Sequence, residues 1–163
     1  MRDIIVGIGN PILCDDGVGL HIARALKDIF PDADVHTTSV IDLQLLEIIS
    51  DHDRIFIVDA LVSNSDNLGT VKKLNPDQET LHLFSSHGLH FFELVKLGRE
   101  LQYKLPEIAG IYGIVIGDEC PFGTVLSPEI LMKENDIICE ISQDIMKNGL
   151  ENCYIKKINI LKG

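Results

Sequence analysis

Long apolar runs are missing from this 163-residue chain. None approaches the roughly 18 residues that cross a bilayer as a helix. No charged-then-apolar leader precedes the strand-like run that begins at Ile4, and the expected location is the cytoplasm. Basic residues are scarce: 14 Lys and Arg stand against 25 Asp and Glu, a formal net charge of −11. A surface of that sign repels nucleic acid and anionic lipid, so neither nucleic acid nor membrane is expected as a partner. It suits a basic protein partner or a cation, and it also serves plain solubility. The four cysteines, Cys14, Cys120, Cys139 and Cys153, include no CxxC pair. Without zinc-ribbon spacing or a disulfide framework, they are spread as in a reduced cytosolic protein. No GxSxG nucleophile elbow occurs. Internal repeats, low-complexity stretches and linkers are absent too. One domain over residues 1–163 is expected, and a monomer, because no apolar dimer stripe stands out.

Hydrophobic residues make up 45% and charged residues 24%, a globular balance. Apolar runs at Ile4–Ile8, Arg54–Val58 and Ala109–Ile116 read as buried parallel strands. Val35–Val40 reads as a further strand, and Gly69–Leu74 as a weaker one nearer an edge because of Lys72 and Lys73. Val18, Ile22, Ala25, Leu26 and Ile29 recur at helical spacing. A short helix capped by Asp42 is expected through Ile49, and another from His87 to Leu101. Ser127-Pro128-Glu129 is a helix start, with a possible break near Asn135-Asp136 and a stop at Gly149. Tyr154–Leu161 alternates as a possible terminal strand. Strands alternating with helices predict a three-layer α/β/α domain around a largely parallel sheet.

The stretch Gly7–Gly19, GIGNPILCDDGVG, joins the first strand to the first helix. A dinucleotide fingerprint fails there. After Gly7 and Gly9 the third glycine would fall at Ile12, and two carboxylates stand where phosphate would approach. The alternative is an acid–base or metal site. Asp16 follows strand one, Asp59 ends strand three, and His87 opens a helix. In a doubly wound sheet the carboxyl ends of neighbouring parallel strands share one edge, so these three could converge. Two carboxylates and an imidazole suit a borderline divalent ion. Structural roles compete: Asp15 or Asp16 as a helix cap, Asp59 capping a turn. His90, one turn after His87, is a candidate to support it. His21, His36 and His52 read as surface or loop residues, and His82 falls in an irregular stretch.

Along its length the chain resembles the hydrogenase maturation proteases. GIGNPILCDDGVG followed by a helix is similar to their N-terminal signature, and Ile57-Val58-Asp59-Ala60 to their second acidic motif. Leu68-Gly69-Thr70, Ser86-His87, Gly113 and the Gly123–Pro128 stretch follow in the family's order. Val40-Ile41-Asp42 departs from the glycine-rich turn usual after strand two. The resemblance implies a phosphorylase/hydrolase-like sandwich with a twisted sheet of about five strands. It also implies an endopeptidase that trims the C-terminal extension of a nickel–iron hydrogenase large-subunit precursor. Asp16, Asp59 and His87 would be the ligands for nickel carried by that precursor, and Asp16 and Asp59 the catalytic residues. A non-catalytic nickel-binding checkpoint would use the same ligands without hydrolysis.

Overall fold

The structure, a computed structural model, describes residues 1–64, 66–75, 86–119 and 121–150, without the side chains of 86–89. In chain order the elements are β1 (Asp3–Ile8), a 3-10 turn (Cys14–Gly17), α1 (Val18–Ile29), β2 (Asp34–Thr38), α2 (Leu43–Ser50) and β3 (Arg54–Val62). Then come β4 (Val71–Lys73), α3 (Ser86–Glu100), β5 (Glu107–Ile116) and α4 (Pro128–Lys147). The strands form one sheet in the order β2-β1-β3-β5-β4. β1, β2, β3 and β5 are parallel, and β4 alone runs antiparallel, against β5.

Alternation along the strands builds two cores. Phe56, Val58 and Ala60 of β3 pack with Ile22 and Leu26 of α1 and Ile130, Ile137 and Ile141 of α4. Ile55 and Ile57 face the other way, onto Leu45, Leu46 and Ile49 of α2 and Phe91, Leu94 and Val95 of α3. Each Leu, Ile, Val or Phe among them contributes about 1.5–3 kcal/mol by leaving water. A strand covered on both faces must be apolar at nearly every position, which is why these strands read as continuous runs and not as alternating ones.

From β1 the chain moves outward to β2, then crosses back to β3 on the other side of β1. The direction of winding therefore reverses between β1 and β3. Loops leaving the two strands part there and open a crevice at the carboxyl edge, the usual ligand position in an open α/β sheet.

Several expected boundaries shift. β2 ends at Thr38, before Val40, because the Thr38 hydroxyl accepts from Val40 N–H at 3.0 Å and donates to Val40 O at 2.7 Å, turning the chain. β3 passes Val58 and runs to Val62, since β5 offers it partners as far as Ile116. α4 is continuous through Asn135-Asp136: the buried stripe Ile130, Ile137, Ile141 and Ile145 holds it against the sheet. Ser127 caps it, accepting from Ile130 N–H. The possible strand Tyr154–Leu161 lies outside the described residues. Among the described residues no helix is long and apolar enough to cross a membrane.

Candidate functional site

Asp16 is delivered by the loop that follows β1. Asn10 shapes that loop: its side-chain oxygen accepts from Ile12 N–H at 3.1 Å and its carbonyl from Leu13 N–H at 3.3 Å. The side-chain contact is an Asx turn. The Asn10 N–H in turn donates to Asp16 Oδ2 at 3.0 Å, fixing the carboxylate as the chain enters the 3-10 turn. Gly9 is needed because a Cβ there would strike the Asp16 carbonyl. In the first turn of α1, Gly19 lies directly on the carbonyls of Ile8 and Val58 and on Asp59 Cα, where a Cβ has no room. The acidic turn is thereby pressed onto the ends of β1 and β3.

Asp59 comes from β3 itself. β1 pairs with β3 only as far as Gly7–Val58, whereas on the other side Asp59 is still paired, with Gly113 of β5. Asp59 is thus the first β3 residue past the last β1 partner, at the crevice. Its Oδ1 accepts the Ala60 N–H at 2.8 Å. By strand alternation it shares the face of Ile55 and Ile57, the face covered by α2 and α3.

Neither acid stands on an exposed loop end. Asp59 is fully buried, at 0% exposure, inside a strand, and Asp16 is 9% exposed. α2 and α3 cover the face of β3 that carries Asp59, and the close approach of α1 presses the turn carrying Asp16 onto the strand ends. Neither Asp15 nor Asp16 caps α1. Gly17 is the cap residue, with no side-chain capping bond. Asp16 turns back to Asn10, and Asp15 Oδ1 accepts from Ser127 N–H at 2.6 Å.

His87 stands in the first turn of α3. Its side chain lies outside the described residues, but the course of the backbone locates the turn. α3 ends at Glu100 and the chain then enters β5 at Glu107, with Gly98 against Leu105. The end of α3 is therefore at the amino edge of the parallel strands. Its start, with His87, is at the carboxyl edge, where Asp16 and Asp59 are. Beyond that turn, His90 and Glu93 border a groove of about 510 Å³ between α2 and α3, lined also by Ile41, Leu43, Leu94 and Leu97. His82 falls outside the described residues. Among the described side chains no group of three His, Cys, Asp or Glu could hold a metal ion; the triad expected here includes His87.

Elsewhere, His21 is a surface residue, 2.8 Å from Glu134. His52 is not: it is buried, with Nδ1 2.9 Å from the Ile48 carbonyl and Nε2 2.9 Å from Asp34 Oδ2. That contact holds the Asp34 carboxyl below its usual range. A polar stretch, Ser50–Asp53, hid a histidine that pins the end of α2 to β2.

Known structures share this fold. The hydrogenase maturating endopeptidase HybD from Escherichia coli superposes with a TM-score of 0.75 at 21% identity, covering 93% of this chain and 96% of that one. The NiFe hydrogenase maturation protease HybD from Thermococcus kodakarensis gives 0.73 at 28% identity, over 89% of this chain and 99% of that one. In sequence, the hydrogenase 2 maturation protease of Escherichia coli is 33% identical over 89 residues. The chain is related to the hydrogenase maturation proteases. The sequence match spans about half of each protein, 53% of this chain and 54% of the relative. No protein-family model matches the chain. Against the hydrogenase maturation proteases the five-stranded, mostly parallel sheet between helices is the shared feature.

A second pair of loops completes the edge. Leu13 and Gly123 form a parallel backbone bridge, in which Cys14 N–H donates to Gly123 O at 2.9 Å and Gly123 N–H to Ile12 O at 3.0 Å. With the Asp15–Ser127 hydrogen bond, the loop after β1 and the loop before α4 become one unit. Nothing in the local sequence Asn10-Pro11 signals this bridge. Its one visible trace is the glycine at 123, where a Cβ would lie 2.6 Å from Cys14 Sγ.

Proposed function

We propose that this chain is an endopeptidase that removes the C-terminal extension of a nickel–iron hydrogenase large-subunit precursor once nickel is in place. The observation that carries the reading is the pair of buried carboxylates, Asp16 and Asp59, at the switch point of the sheet. The likeness to the maturation proteases supports it.

Two carboxylates and an imidazole suit a borderline divalent ion but bind nickel less firmly than thiolates do. That is the behaviour wanted of a site that inspects nickel held by its substrate and does not extract it. Asp16, Asp59 and the imidazole of His87 would meet the metal in the precursor and so register the adjacent peptide bond. Without the ion, like charges at one edge oppose each other, and a metal-free precursor is disfavoured. Either Asp16 or Asp59 acts as the base that takes a proton from the attacking water, or the ion polarises that water. In both cases the tail leaves with a new amino terminus and the body with a new carboxylate. The site of action is the cytoplasm.

The test is to incubate the purified chain with a nickel-loaded and a nickel-free large-subunit precursor and weigh the products. Release of the tail from the nickel-loaded form alone is expected. Equal release from both would remove the nickel requirement. An intact tail on both would overturn the protease and leave a binding checkpoint.

A further inference from the structure

The two joined loops carry an apolar surface that the proposed chemistry does not use. Phe122 is 86% exposed, Val125 68% and Ile12 53%. Counting one residue back from the Leu13–Gly123 bridge, Ile12 stands opposite Phe122. Large apolar side chains set on backbone-paired loops form a firm surface, and such patches mark sites of association. Ile12 is four residues from Asp16, so this surface adjoins the acidic crevice.

The charge around it is one-sided. The sequence holds no Lys or Arg between Arg2 and Arg24, between Lys27 and Arg54, between Arg54 and Lys72, or between Lys104 and Lys133. Among the described residues, the loops that follow β1, β2, β3 and β5 at the carboxyl edge fall within these gaps. They contain Asp15, Asp16, Asp42, Asp66, Asp118 and Glu119. The cations that reach them are engaged: Lys72 with Asp66 at 2.6 Å, and Lys133 with the Leu68 carbonyl at 2.6 Å.

We infer that Ile12, Phe122 and Val125 form the docking surface for the folded body of the substrate protein, which meets them with an apolar patch bordered by Lys or Arg. The partner's chemistry is set by what it must complement: apolar contact at the centre and opposite charge at the rim, where attraction speeds encounter and fixes register. This inference rests on the protease reading for the identity of the partner.

The experiment measures binding and cleavage separately, with a nickel-loaded hydrogenase large-subunit precursor as the probe. Phe122→Asp and Val125→Asp are the variants, and Leu101→Asp, on the opposite edge, is the control. A tenfold or greater loss of affinity for the two loop variants is expected, with a matching rise in KM. Binding by the unaltered chain should weaken as salt rises above ~0.15 M. Unchanged binding and KM in both loop variants would overturn the docking surface while leaving the protease intact. Binding lost in the variants, with no cleavage even by the unaltered chain, would overturn the protease and keep the surface. Failure of the unaltered chain to bind or cleave would overturn both. A dimer of the chain that Phe122→Asp splits would assign the surface to a second copy and overturn the inference.

Discussion

Asp15 Oδ1 accepts the backbone N–H of Ser127 at 2.6 Å, joining the turn before α1 to the cap of α4, 112 residues further along the chain. The acid beside Asp16 therefore has an architectural task. Asp15→Ala is expected to cost about 1.5–3 kcal/mol, the worth of a hydrogen bond to a charged group. Asp15→Asn keeps an acceptor and should recover most of it. Denaturant unfolding of both variants measures this. A general base at Asp15 would instead leave Asn as inactive as Ala.

Asp59→Asn separates chemistry from stability. Asp59 is buried in β3, and neutralising a buried carboxylate relieves a desolvation cost. The variant should have a thermal midpoint no lower than the native chain and no cleavage activity. Asp16→Asn retains an acceptor for Asn10 N–H and is expected to behave likewise. A large fall in thermal midpoint for both would show that the acids serve the fold.

Gly19→Ala tests how closely α1 must approach the sheet. The new methyl meets the Ile8 and Val58 carbonyls, and backbone cannot yield as a side chain can. A loss upwards of about 2 kcal/mol is expected, along with lost activity, because the turn carrying Asp16 moves with α1. A native-like melting curve would contradict the close packing.

The pH dependence of stability should carry a mark from Asp144. Burial pushes this carboxyl up, but hydrogen bonds from Lys73 and Tyr112 bring it below its ordinary 3.8. Tyr112, whose hydroxyl donates to Asp144 at 2.9 Å, is raised by burial first and then by that carboxylate. A depressed carboxyl contributes fully above 3.8 and loses its contribution as pH falls below that toward the folded value. Asp144→Asn should flatten the acid limb of the stability curve. Asp144→Ala, which strands the buried Tyr112 hydroxyl, should cost roughly 1–3 kcal/mol at neutral pH. An acid limb unchanged in Asp144→Asn would assign it to other groups, Asp34 among them.

Element identity was legible in the sequence wherever one periodicity governed. Val18–Ile29 coincides with α1, and Ser127-Pro128 marks the start of α4, because capping and helical spacing are local properties. Boundaries set by a neighbour were not legible. β3 is longer than its apolar run because β5 continues beside it. The burial of His52, read as a surface or loop residue, was hidden because its partner, Asp34, lies 18 residues away.

For the site, the sequence by itself determined which residues are candidates. Two acids after a glycine turn, a third at a strand and a histidine opening a helix are chemically distinct and readable one at a time. Tertiary structure decided their surroundings. The reversal of winding between β1 and β3 set Asp16 and Asp59 beside one crevice. Helices α2 and α3 buried Asp59 on their face of the sheet, the approach of Gly19 pressed the turn of Asp16 onto the strand ends, and the Leu13–Gly123 bridge made one surface of two distant loops. Burial and pairing depend on which segments meet across the sheet. Such long-range contacts leave no periodic trace in the residues that make them.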